Sequence, residues 1–339
     1  MASPGKASHE ASQSDELAEA LARVLTGSAG RVERLRRLTG GASRETWSFD
    51  RIIGESRRPL ILRRAHGGGS PDAELPALDP GLEGRLVAEL AEAGLPVAAV
   101  LHVLARDEGL GRGYIMERLA GETLAPRILR RDQYADARSR LARQCGAALA
   151  AIHAARTQTA AGLPDMQAAD VLAAYRQRYD AHGQARPVFE LAFRWLADNL
   201  PEPVEPVLVH GDFRNGNLVV DERGLAGVLD WELTHRGDPM EDLGWITVNS
   251  WRFGMSHRPV GGFGQRRDLL QGYREAGGEA DEERMRYWQL MGSLKWGVMC
   301  MTMAGIYRRG VDRSVERAAI GRRVSEAEID MLNILRGRD

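Results

Sequence analysis

The segment that most limits how this chain can fold is Val209-His210-Gly211-Asp212-Phe213-Arg214-Asn215-Gly216-Asn217, with Leu229-Asp230-Trp231 after it. An apolar run, Val207-Leu208-Val209, delivers His210 and Asp212 into a loop, and a second run, Leu218-Val219-Val220, leaves it. Asp221-Glu222-Arg223-Gly224 then turns the chain back into Gly227-Val228-Leu229, which ends on Asp230. Two short apolar runs joined by a polar turn containing Gly predict a hairpin. Such a hairpin brings Asp212, Asn217 and Asp230 to one end. Asp and Asn in a loop also make ordinary turns, but the spacing here carries more than turn chemistry.

Three oxygen-bearing side chains with no Cys among them suit a hard cation such as Mg²⁺. Phosphoryl transfer uses this set: one carboxylate orients a nucleophilic hydroxyl, while an amide and a second carboxylate serve metal-bound phosphates. Protein kinases separate a catalytic-loop Asp from a metal-binding Asn by four residues, with a metal-binding Asp further on. The same spacing occurs as Asp212-x-x-x-x-Asn217, with Asp230 in the later place.

His210-Gly211-Asp212 through Asn217, then Leu229-Asp230-Trp231-Glu232, then Gly237-Asp238-Pro239-x-x-Asp242-Leu243, resembles the aminoglycoside phosphotransferase-like superfamily of small-molecule kinases. Within it the chain looks most like the kinase-like domain fused to some acyl-CoA dehydrogenases. The resemblance runs from about Leu38 to the C-terminus and is most specific around 209–243. It implies an α+β, two-lobed protein-kinase-like fold: a small antiparallel-sheet N-lobe and a larger, mostly helical C-lobe, with ATP between them. Asp212 is then the catalytic base, Asn217 and Asp230 the Mg²⁺ ligands, and His210 and Asp242 supports of the loop. Asp238-Pro239 reads independently as a helix start, with Asp as N-cap and Pro at the first helical position.

The N-terminal half carries weaker signals. Val32 to Leu38 is strand-like and runs into Thr39-Gly40-Gly41-Ala42-Ser43, where a Gly pair lets backbone amides approach phosphates. Read alone, this is an ordinary hairpin turn; the resemblance makes Gly40, Gly41 and Ser43 the nucleotide-covering loop. Leu60-Ile61-Leu62-Arg63-Arg64 is a strand ending in two cations, and relatives place a phosphate-binding Lys at the position of Arg63. Guanidinium binds phosphate oxygens bidentately but is bulkier than ammonium, so the exchange is not neutral. Leu82, Leu86 and Leu90 mark one face of a helix, and Glu83 on it is the candidate partner for Arg63. Leu95 to Leu104 and Gly113 to Met116 predict two further strands. Glu117-Arg118-Leu119-Ala120-Gly121 then forms the connector whose backbone, by the resemblance, receives the adenine at Glu117 and Arg118.

These readings set the boundaries 1–16 for a disordered tail, 17–119 for the N-lobe and 120–339 for the C-lobe. A chain of 339 residues with 43% hydrophobic content can build such cores without staples. Only Cys145 and Cys300 occur, so neither a disulfide framework nor a zinc site is implied. The tail has no apolar signal-peptide core, and the run from Trp296 to Tyr307 is too short for a bilayer. A cytoplasmic protein without a membrane partner is expected. The net charge of −1 argues against nucleic acid, and nothing sets an oligomeric state.

Charge distribution bears on the acceptor. Residues 251–325 hold fourteen Arg and Lys against eight Asp and Glu, whereas residues 1–250 hold thirty against thirty-five. A polycationic aminoglycoside is repelled by such a lobe, and a small anionic hydroxy acid or hydroxyacyl-CoA is attracted. Scattered surface pairs would leave no such field. The sequence-level reading is therefore a kinase using ATP, with GTP left open, Mg²⁺ and a small hydroxylated acceptor. Its rivals are an aminoglycoside phosphotransferase and a nucleotide-binding pseudokinase in which Arg63 marks lost activity.

Overall fold

A computed structural model describes residues 4–26, 30–38, 44–65 and 77–338, with backbone alone over 4–13. The chain divides into two compact units, Met1–Ala120 and Gly121–Asp339.

The first unit contains α1 (Pro4–Thr26), β1 (Gly30–Arg37), β2 (Arg44–Ile53), β3 (Ser56–Ala65), α2 (Pro80–Glu92), β4 (Val100–Val103) and β5 (Gly113–Glu117). Its strands form one antiparallel sheet in the order β1-β2-β3-β5-β4. Strand alternation sorts the apolar side chains onto two faces. Leu60, Leu62 and Ile115 meet Leu17 and Leu21 of α1 on one face, while Ile61 joins Tyr114 and Met116 on the other. Two expectations are corrected here. Helix α1 begins at Pro4, inside the stretch assigned to a disordered tail, because extending a helix already anchored at Leu17 and Leu21 needs no new nucleus. The strand expected from Leu95 shrinks to Val100–Val103, since Pro96 lacks the N–H that a ladder needs.

The second unit opens with α3 (Ala125–Arg130), α4 (Ala135–Ala154), α5 (Gln158–Ala161), β6 (Asp165–Met166), α6 (Ala168–Ala181) and α7 (Pro187–Asp198). It continues with β7 (Val207–Val209), β8 (Leu218–Asp221), β9 (Gly224–Val228), β10 (His235–Gly237) and α8 (Met240–Trp245), and closes with α9 (Arg266–Glu275), α10 (Glu282–Arg309), α11 (Val315–Gly321) and α12 (Val324–Leu335). Strands β8 and β9 form the expected hairpin, with Leu218 opposite Val228. Strand β7 does not join it. It pairs antiparallel with β10, which pairs in parallel with β6.

Helix α10 is the core of this unit. Asp281 caps its start by accepting from the Arg284 amide, and Gly310 ends it in the left-handed region at φ 76°. Met285, Trp288, Met291, Leu294, Val298 and Met301 along it are buried. The aromatics of α6 and α7 are core as well: Tyr179 stacks on Phe189 at 5.5 Å between centroids. No described helix is long and apolar enough to cross a membrane.

Helices α4 and α9 approach closely because each has Gly at the crossing. A Cβ on Gly146 would lie 2.0 Å from the Leu269 carbonyl oxygen, and one on Gly272 would lie 2.0 Å from that of Arg143. This approach lets Tyr273 of α9 reach His153 of α4. Gly146→Ala should therefore cost about 1–3 kcal/mol as the helices are forced apart, seen as a lower urea midpoint for the second unit. An unchanged midpoint would show that the helices separate freely.

Candidate active site

The loop 210–217 is held from behind by one buried carboxylate. Asp242, in the first turns of α8, accepts from the His210 amide at 2.8 Å (Oδ2) and the Gly211 amide at 3.0 Å (Oδ1). His153 Nε2 lies 3.2 Å from Oδ2 and His153 Nδ1 2.9 Å from the Tyr273 hydroxyl. A carboxylate only accepts, so Nε2 carries a proton. Burial on its own would raise the Asp242 carboxyl. The bonds and charge of His153, the His210 side chain and the amides outweigh it and hold the group below its usual value. Helix α8 is itself fixed by Asp238, which accepts from the Met240 amide, Trp288 Nε1 (2.7 Å) and Arg284 Nε (2.5 Å). The helix begins at Met240, one residue later than the Asp-Pro pair predicts.

Gly211 makes the turn possible. Its φ is +79°, and a Cβ there would lie 2.5 Å from the Leu233 carbonyl oxygen, so a side chain is excluded by both conformation and space. His210 then knits the loop together. Its Nδ1 accepts from the Asp212 amide, and its Nε2, 3.0 Å from the Leu229 carbonyl, must donate to it. Its ring packs 4.6 Å from that of Trp231.

The Asp212 carboxylate is reached by three donors. Trp245 Nε1 donates to Oδ1 at 2.8 Å, Asn217 Nδ2 to Oδ2 at 2.7 Å, and Arg214 Nε bridges both oxygens at 3.0 and 3.2 Å. Arg214 also lies over the Trp251 ring at 4.6 Å. Asn217 and Asp230 belong to one construction, since the Leu229 amide donates to the Asn217 carbonyl at 2.8 Å where the hairpin ends. Asp230 has φ +69°, one of three non-glycine residues with positive φ among those described. Such a conformation costs of order 1–3 kcal/mol and persists where the surroundings over-determine it. Here Leu229 and Trp231 are bonded on either side, the Trp231 indole to the Val228 carbonyl at 3.2 Å.

The donor set suits magnesium, which takes oxygen ligands and keeps water or phosphate oxygens about one or two carboxylates. With Nδ2 of Asn217 engaged by Asp212, its Oδ1 is the atom left to serve a cation. Among the described residues no group of three or more His, Cys, Asp or Glu could hold a metal, so phosphate and water oxygens must complete any such shell.

In the first unit, Arg63 Nη2 lies 3.4 Å from Glu83 Oε1, and Glu83 is fully buried. Tyr114 donates to the same oxygen at 2.9 Å, and Arg44 Nε lies 3.8 Å from the other. Glu83 thus serves two arginines, of which sequence reasoning named one. The backbone amides of Glu117 and Arg118 are engaged by the carbonyls of Ala99 and Pro59, so neither N–H is left to donate to an adenine. What the expectation keeps is the Arg118 carbonyl, which faces a proline with no N–H to offer. The side chain of Arg118 turns to Ser48 (2.6 Å) and Asp50 (2.9 Å), and that of Glu117 to Arg58. Gly40, Gly41 and Ser43 lie outside the described residues.

Sequence reasoning missed Arg214, Trp245 and Lys295. Arg214 is adjacent in the motif. Trp245 lies three residues after Asp242, on the same helix face. Lys295 stands mid-helix among apolar residues: it is buried, donates to the Gly211 carbonyl at 3.1 Å, and lies 3.7 Å from Glu241 and 4.7 Å from the Trp245 ring centroid. His235 flanks Glu241 on the other side at 3.1 Å. Burial would lower its pKa, but Glu241 and the Leu233 carbonyl outweigh burial and raise it.

With this geometry in hand, residues 34–288 match the model of the phosphotransferase enzyme family. The chain belongs to the phosphotransferase enzyme family. A stretch of 78 residues is 42% identical to acyl-CoA dehydrogenase family member 11 of Gallus gallus, covering 22% of this chain and 10% of that relative. The fold is that of a Ralstonia eutropha protein assigned to the aminoglycoside phosphotransferases, at 22% identity and TM-score 0.70, covering 95% of this chain and 98% of the other. It is equally recognisable in an ADP-bound aminoglycoside phosphotransferase, at 17% identity and TM-score 0.58, covering 94% and 98%. The α+β architecture is thus that of the family, and the chain spans about a tenth of the length of the acyl-CoA dehydrogenase relative.

Two outcomes follow for this site. Asp230→Asn keeps a residue that tolerates left-handed backbone while removing the charge. It should leave the melting temperature within about 2 °C and abolish any Mg²⁺ dependence of nucleotide binding measured by calorimetry. Asp242 has a depressed carboxyl, so its contribution is present above the ordinary aspartate value of 3.8 and is lost as pH falls through the folded value. Asp242→Asn should therefore lower stability at pH 7 and flatten the acid side of the stability profile. A mutant as acid-sensitive as the parent would assign that slope elsewhere.

Proposed function

We propose that the chain transfers the γ-phosphoryl group of ATP to a hydroxyl of a small acceptor. The observation that carries this reading is the Asp212 carboxylate, fixed by three donors at the mouth of a loop that also carries Asn217 and adjoins Asp230. Asp212 orients the acceptor hydroxyl and takes its proton as the oxygen–phosphorus bond forms. The bond from the γ-phosphorus to the bridging oxygen breaks, and ADP leaves with the electron pair. Three donors fix the orientation of the carboxylate, which suits a loose transition state that depends on positioning. Asn217 and Asp230 would hold Mg²⁺, which supplies charge neutralisation on the phosphate oxygens when bound. Arg63, steadied by Glu83, is assigned to phosphate.

The acceptor is assigned as an anionic hydroxy acid, with a hydroxyacyl-CoA as its sharper form. Support comes from a cavity of about 490 Å³ lined by Pro259, Gln265, Arg266 and Arg267, from the same stretch of chain as the Gly261 carbonyl to which Asn215 of the loop is bonded at 2.8 Å. Much of the cationic excess in this region is engaged elsewhere: Arg274 pairs with Glu282, Arg284 with Asp238, and Arg317 with Asp312. Arg267 itself lies 3.4 Å from Asp268 and Arg266 donates to Gln289 at 2.7 Å, so the support is the position of these two cations at the cavity wall and not the total.

Product analysis with ATP and Mg²⁺ over panels of hydroxy acids, hydroxyacyl-CoAs and aminoglycosides tests the assignment. Phosphorylation of an anionic acceptor is expected, and preference for aminoglycosides would overturn the anionic part. Asp212→Asn should lower kcat by about 10²–10⁴-fold and leave ATP affinity within about threefold, whereas a binding-only protein would have no turnover to lose.

A further inference from the structure

We propose that Lys295 is a positioning residue for phosphoryl transfer, holding Asp212 from behind through the Gly211 peptide and the Trp245 ring. The inference rests on the assignment of Asp212 to the acceptor hydroxyl. Lys295 stands in the middle of α10, 4% exposed, and is one of two lysines in the chain. A buried ammonium is costly unless its protons are matched, so its three contacts must explain its presence.

Glu241 does not explain it. The other oxygen of Glu241 lies 3.1 Å from His235 Nε2, while His235 Nδ1 lies 3.0 Å from the Leu233 carbonyl. Both ring nitrogens face groups that only accept, so the ring carries both protons and already neutralises Glu241. An apolar residue of similar volume would occupy the Lys295 position without desolvating a charge.

What the lysine adds lies on the side of the loop. Its Nζ donates to the Gly211 carbonyl at 3.1 Å, while the Gly211 N–H is taken by Asp242. Both polar atoms of Gly211 are thus fixed, immediately before Asp212, at a residue with no side chain to restrain its backbone. The same ammonium sits over the ring of Trp245, whose Nε1 donates to Asp212 Oδ1 at 2.8 Å. A cation on the ring face pins the indole and strengthens its N–H as a donor. One charge therefore fixes the backbone entering Asp212 and a donor to its carboxylate, without touching either substrate.

The test uses the full chain, with water as acceptor and phosphate release from Mg²⁺-ATP as readout. Lys295→Met should lower kcat by about tenfold or more with KM for ATP within about twofold, and Lys295→Arg should recover part of the loss. Trp245→Phe should behave like Lys295→Met. The double variant should fall well short of the product of the two losses, since both act through one carboxylate. A second readout needs no turnover: exchange of the Asn217 side-chain amide protons by NMR, since that amide bonds Asp212 and has no contact with Lys295. Exchange should quicken in Lys295→Met and in Trp245→Phe.

Fully multiplicative losses, or a KM effect with kcat intact, would overturn the proposal, as would unchanged Asn217 exchange. Should Lys295→Met fail to fold, Lys295→Arg and Trp245→Phe carry the same comparison. Asp212→Asn separates the two levels. If it leaves hydrolysis intact, the assignment of Asp212 is at fault; if it abolishes hydrolysis while Lys295→Met changes nothing, only the role of Lys295 falls.

Discussion

A single buried carboxylate, Asp242, sets the geometry on which the rest of the second unit depends. It accepts from two consecutive loop amides and faces His153, so it fixes where the loop begins and in which direction it leaves β7. Every support of Asp242 is traceable to packing. His153 is brought in by α4, Tyr273 by α9, and the two helices meet because glycine stands at both sides of their crossing. A buried aspartate is tolerated only when its lone pairs are filled by charge-assisted donors, and filling them is what ties three helices to one loop.

The hairpin adds a second constraint. Asp230 is held at positive φ by the residues around it and not by its own preference, since Leu229 bonds both Asn217 and His210 and Trp231 is buried beneath the His210 ring. Strain of this kind is sustained by packing energy from elsewhere in the fold. It ends an element that would otherwise continue as a strand.

What was legible in the sequence was local. The spacing of Asp212 and Asn217, the β8–β9 turn and the α8 start are encoded within a few residues of one another, and local hydrogen-bond chemistry reads them directly. The pairing of β7 with β10 was not legible, because 25 or more residues of chain separate strands three residues long and no periodicity survives that interval. Neither were the partners of Asp212. Trp245 looks like a core residue in the sequence and Lys295 like a cation with no assigned partner, and only tertiary packing reveals that the polar atom of each points at the loop. That the Glu117 and Arg118 amides are engaged was not legible for a related reason: which amides a strand end has already spent depends on its neighbours across the sheet.

The donors around Asp212 also bear on how such a site can work at all. Arg214, Asn217 and Trp245 all donate to its carboxylate, and each holds it from a different side. A site built for proton abstraction would leave the carboxylate in apolar surroundings. One built for alignment fixes the carboxylate from several sides. The latter suits phosphoryl transfer, where little proton transfer precedes bond cleavage and most of the acceleration comes from holding groups in line. The arrangement also explains why charge lies behind the loop as well as in it. In a low-dielectric interior the Lys295–Glu241–His235 row is stiffer than an apolar packing of the same volume, because each member moves only by breaking a charged contact.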